Sequence, residues 1–127
     1  MRPPLHAVIA DAEALGTAVR WVPLPEGRRG AWHAESGTIW LAEGMGESAA
    51  VAALLHEVEH ARRGDECPQP GWVERRIDRT VACRLIRHDE YAGAERVSGG
   101  RGSGVVAVEL GLPRWVVRAF RDTMREV

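Results

Sequence analysis

The segment His56-Glu57-Val58-Glu59-His60 packs two imidazoles and two carboxylates into five residues. On a helix, positions four apart lie one turn above each other on the same face. His56 and His60 can therefore share one metal ion, and imidazole at this spacing suits zinc. A zinc site lowers the pKa of water toward about 7, which supplies a nucleophile at neutral pH. Glu57, beside the first histidine, is the candidate general base. It would take a proton from the attacking water and pass it to the leaving amine of a peptide.

On the helical projection Val51, Leu54, Leu55 and Val58 fall within roughly 100° of arc, the width of a core-facing stripe. Both histidines point roughly opposite to that stripe, so the motif alone would also fit two solvated side chains. The next helical pattern argues against that. Glu74, Ile77, Asp78, Val81 and Leu85 share about 100° of arc, which puts two carboxylates on an inward face. A buried, uncompensated carboxylate costs several kcal/mol, so the pair calls for a cation or strong donors. Zinc bound by Glu74 and a histidine N–H donated to Asp78 would supply both.

The expected ligand set is His56, His60 and Glu74, with a fourth position left open as in catalytic zinc sites. Asp78 or Asp65 is next in line for the third place. Glu59 projects away from Glu57 and reads as supporting or solvated. His88 and Tyr91 are further candidates, as donors to the oxyanion of a tetrahedral intermediate.

These residues need elements to hold them. Leu5, Val8, Ile9, Ala12 and Leu15 recur at helical spacing between Pro3-Pro4 and Gly16. Residues 19–24, 30–33 and 38–41 read as strands, the last two joined by a turn at Glu35-Ser36-Gly37. The spacing predicts a helix from Ser48, as N-cap, to Arg63, with Gly64 closing it. A third helix is expected over 72–87, a mobile Gly-rich loop over 93–104, and two last helices over 105–109 and up to Arg125. Cys83 flanks an apolar stripe and reads as packing, while Cys67 in a Pro-rich loop reads as a free thiol. The fold class is α+β: a zincin-like helical domain with a small three-stranded antiparallel sheet, residues 1–127 forming one domain.

At 45% hydrophobic and 28% charged residues, the chain reads as an ordinary globular protein. A net charge of −1 gives no global field toward nucleic acid or anionic membrane. No apolar run approaches a membrane span and the first residues lack the apolar core of a signal peptide, so the expected location is cytoplasmic. Arg114, Arg118, Arg121 and Arg125 line one helix face after Gly111-Leu112-Pro113. That arrangement could serve DNA recognition, but a solvated face balanced by Asp122 and Glu126 is the expected reading.

Leu54-Leu55-His56-Glu57-Val58-Glu59-His60-Ala61, followed by Glu74-Arg75-Arg76-Ile77-Asp78-Arg79-Thr80-Val81-Ala82-Cys83-Arg84-Leu85-Ile86, resembles the ImmA/IrrE-type zinc metallopeptidases. Members of that family carry HExGH and then an ExxA(N/D)xFAxxLL helix. The register makes Glu74 the third ligand and puts Asp78 at the Asn/Asp place. Its Glu-x-x-x-Asp spacing is also similar to that of thermolysin-type enzymes. Glu59 stands where the family has Gly, Ile77 and Thr80 replace small and aromatic residues, and the Pro expected after Ile86 is missing. The segment 104–127 is similar to the family's closing helix-turn-helix-like part. The resemblance implies cleavage of a regulatory protein such as a repressor, often in phage or mobile-element control. The competing expectation is a catalytically idle, peptidase-like binding module that sequesters a regulator or DNA. An intact Glu57 favours the active enzyme.

Overall fold

A computed structural model describes residues 2–125, which divide into two compact units, one ending at Pro70 and the other beginning at Gly71.

In the first unit, Pro4 leads in extended conformation into helix α1 (Leu5–Ala14), whose Val8 and Ala12 are buried. The helix ends at Leu15, and Thr17 folds back so that its hydroxyl donates to the Ala12 carbonyl at 2.8 Å. Three strands follow: β1 (Ala18–Val22), β2 (Gly30–His33) and β3 (Thr38–Ala42). β2 and β3 form the expected hairpin, pairing antiparallel from Gly30↔Leu41 to His33↔Thr38.

The sheet is mixed, however, and not antiparallel throughout. Its order is β1-β3-β2, with β1 parallel to β3 from Ala18↔Thr38 to Val22↔Ala42. The connection explains this. Residues 23–29 include Pro23 and Pro25, which cannot donate to a sheet ladder. They are also too many for a tight hairpin, and they carry the chain past one strand position. A gap of two strand spacings is roughly 10 Å, well within their reach. β3 then returns into the vacant middle, where Ile39 and Leu41 are fully buried.

Helix α2 (Glu47–Arg63) packs on β2, β3 and α1. Gly46, not Ser48, holds its N-cap position, and Glu47 supplies negative charge in the first turn. That charge favours the positive end of the helix dipole. Ala50, Ala52 and Ala53 let neighbouring chain approach closely, and every residue from Ala50 to Val58 is buried.

The second unit is four helices: α3 (Gly71–Leu85), α4 (His88–Ser98), α5 (Ser103–Leu110) and α6 (Arg114–Arg125). α3 packs on α6, and α5 on both α4 and α6. Its core holds Val73, Ile77, Val81 and Leu85 of α3 with Val106, Val116, Val117 and Phe120. The Gly-rich stretch expected as a loop is mostly helix. α4 runs through Gly93 to Ser98, and only residues 99–102 connect it to α5. Tyr91 and Ala94 anchor α4 in the core, and that packing outweighs one weak helix former in its middle.

Leu54 lies wholly inside the first unit. Leu54→Ala is expected to lower unfolding free energy by about 2–5 kcal/mol in urea titration. A loss below about 1 kcal/mol would show that α2 is not packed as described.

Candidate metal centre

α2 carries His56 and His60 with ring centroids 5.0 Å apart and planes tilted by 59°. His56 is 8% exposed, and Glu57 and His60 are 9% exposed. The face opposite the apolar stripe is therefore not the solvated face that the helical projection alone allows. Three polar side chains are buried within five residues, a costly arrangement unless each is used.

Glu57 sits against strand β2. A Cβ on Gly30 would lie 3.2 Å from Glu57 Cγ and 3.1 Å from the Trp40 carbonyl oxygen. Glycine at this position is what allows strand and glutamate to approach so closely. Glu59 points elsewhere and pairs with Arg62 at 3.1 Å.

The C-terminal cap of α2 completes this part of the site. Gly64 adopts the left-handed conformation at φ +73°, which glycine enters without a Cβ penalty. Its N–H donates to the Ala61 carbonyl and the next N–H, of Asp65, donates to the His60 carbonyl, both at 3.1 Å. This Schellman pattern folds Asp65 back over the last turn. Asp65 Oδ2 then accepts from His60 Nδ1 at 2.8 Å and from Arg63 Nε at 2.9 Å. Burial pushes the Asp65 carboxyl upward. Hydrogen bonds from His60 and Arg63, with the charge of both, outweigh it and hold the pKa below the usual Asp value.

An ionised carboxylate can only accept, so His60 Nδ1 carries the proton. In the neutral ring this tautomer makes Nε2 the lone-pair nitrogen, the form of histidine that binds a metal. The role expected of Asp78, accepting a ligand histidine's second N–H, is filled for His60 by Asp65. Its signal was present in the sequence: a glycine just past the helix end, then a carboxylate. Trp32 and Gly30, both on β2, had no comparable signal.

In the second unit, Glu74 lies in the first turn of α3 and Asp78 one turn later, both half-buried beside the buried stripe Val73, Ile77, Val81 and Leu85. Asp78 also lines a shallow groove with Arg75, Trp115, Arg118 and Asp122, where the charges balance. Cys83 is exposed rather than packed, as is Cys67. The Tyr91 hydroxyl accepts from Arg121 Nε at 2.8 Å. Burial, then a hydrogen bond with Glu95, pushes its pKa up. The His88 ring stacks at a tilt on Phe120 with centroids 5.1 Å apart.

Arg114, Arg118 and Arg125 of α6 are exposed, as a solvated face requires, whereas Arg121 is half-buried. Arg121 reaches Tyr91, Glu95 and the Arg101 carbonyl, and Arg114 reaches the Ser103 hydroxyl. Arg125 is 3.8 Å from Asp122, while Glu126 lies outside the described residues. Among the described residues, no helix is long and apolar enough to cross a membrane.

Comparison with protein-family models and with curated proteins gives no match for this chain.

Asp65→Asn is expected to weaken metal binding at His60 about 10–100-fold in competition with a chromophoric chelator. The depressed Asp65 pKa adds a pH signature. Its stabilising contribution is present above the ordinary value of 3.8 and is lost as pH falls through the lower folded value. The variant should lack that part of the acid limb of unfolding, whereas an unchanged acid limb and metal affinity would contradict the role.

Proposed function

We propose that this chain is a zinc-dependent endopeptidase, with His56, His60 and Glu74 as metal ligands and Glu57 as general base. The observation that carries the proposal is the His60–Asp65 hydrogen bond, which orients the His60 ring through Nδ1 beside a second buried imidazole. The donor chemistry fits: two imidazole nitrogens and one carboxylate oxygen, each residue offering one ligand atom. Bound by this set, zinc would acidify the attacking water and polarise the scissile carbonyl.

The remaining chemistry belongs to the chain. Glu57, held against Gly30, takes a proton from the attacking water on its carboxylate and returns it to the departing amine nitrogen. Asp65 keeps the His60 ring in one tautomer and one orientation. β2 is one of the two edge strands of the sheet and pairs with β3 alone. An extended peptide adding to its outer side would run past Glu57. The substrate would then be a protein segment able to extend, in line with a zincin-like domain resembling the ImmA/IrrE-type peptidases. That reading makes the target a cytoplasmic transcriptional regulator such as a repressor. It also assigns Asp78 to second-line support of a ligand histidine, and leaves His88 and Tyr91 as candidate donors to the oxyanion.

Two variants test the proposal. Glu57→Gln should retain one zinc per chain by elemental analysis while cleavage of a quenched-fluorescence peptide library falls by about 10²–10⁴-fold. Equal cleavage by both proteins would remove Glu57 from the chemistry, and no cleavage by either would favour the idle binding module. Glu74→Ala should lose most of its zinc, and an undiminished metal content would move the third ligand elsewhere.

A further inference from the structure

The geometry points to Trp32 as a positioning residue for the metal ligand His60, acting through Asp65. This rests on the zinc reading above and extends it from the ligands to the strand beside them.

The Asp65 side chain can hold His60 only if its main chain stays fixed just beyond the end of α2. The Gly64 cap secures the N–H side of that residue. Its carbonyl is secured from across the unit, where Trp32 Nε1–H donates to the Asp65 oxygen at 2.9 Å. Trp32 is half-buried, so the indole N–H finds a protein partner, as buried Trp N–H groups generally do.

The strand alternates its faces. Gly30 and Trp32, two residues apart on β2, therefore point to the same side of the sheet. Gly30 fits against Glu57, and Trp32 fixes the residue that orients His60. The other side of the sheet does something else: His33 stacks on Trp40 of β3 with centroids 5.0 Å apart. One side of a four-residue strand thus touches both the general base and the support of a ligand. The arrangement is a hydrogen-bonded chain, Trp32 indole to Asp65 main chain, and Asp65 carboxylate to His60 imidazole. A residue acting this way changes metal affinity and ring tautomer together, whereas ordinary packing would change neither selectively.

Trp32→Phe removes the N–H and keeps an aromatic ring. Zinc affinity should fall about tenfold, at the lower end of the range for outer partners of metal ligands. In metal-free protein, the ¹⁵N signals of the His60 ring should move from the Nδ1–H form toward a mixture of tautomers, with the His56 ring unaffected. In an Asp65→Ala background, which removes the acceptor for His60, Trp32→Phe should weaken zinc no further, since the chain is already broken. Unchanged His60 ring signals, or losses that multiply in the double variant, would overturn the role.

A wild-type readout guards against a variant that fails to fold. Coupling is reciprocal, so adding zinc should shift the Trp32 indole N–H resonance and slow its exchange with solvent. An indole signal that zinc leaves unmoved overturns the proposal. Wild-type protein that takes up no zinc overturns the metal reading instead, and the metal-free His60 tautomer then decides the role of Trp32 alone.

Discussion

Burial of two imidazoles and a carboxylate on one helix is the constraint on which the first unit depends. His56, Glu57 and His60 are each under 10% exposed. Polar groups removed from water cost free energy unless hydrogen bonds or an ion replace the lost hydration. Around α2 the chain supplies replacements at several points. Asp65 takes the His60 N–H, Arg63 shares that carboxylate, and Trp32 fixes its main chain. A bare glycine makes room for Glu57.

The second unit meets a related demand differently. Its four helices bury an apolar core around Phe120 and tie down polar groups with Arg121, which serves Tyr91, Glu95 and a loop carbonyl. α3 carries Glu74 and Asp78 along the margin of its buried stripe, not at its centre.

The parts of this arrangement legible in the sequence are those whose information is local. The two histidines, the hairpin of β2 and β3, and the apolar stripes of α2 and α3 all follow from spacing within one element. The parallel pairing of β1 with β3 was not legible, because strand order depends on where residues 23–29 carry the chain. Likewise Gly93 and its neighbours read as loop from local propensity, and tertiary burial of Tyr91 and Ala94 made them helix. The arginines of α6 read as solvated from periodicity, yet Arg121 turns toward Tyr91, a partner thirty positions away. Asp65 lies between these cases: its glycine cap is a sequence signal, but its grip on His60 emerges only when the cap closes.

The account stands on the identity of the atoms around the metal. X-ray absorption fine structure at the zinc edge of the loaded protein reads those atoms directly. The account predicts a first coordination sphere of nitrogen and oxygen alone at about 2.0–2.2 Å, with the outer scattering of two imidazole rings. A sulfur contribution at about 2.3 Å, or scattering from fewer than two imidazoles, would contradict it.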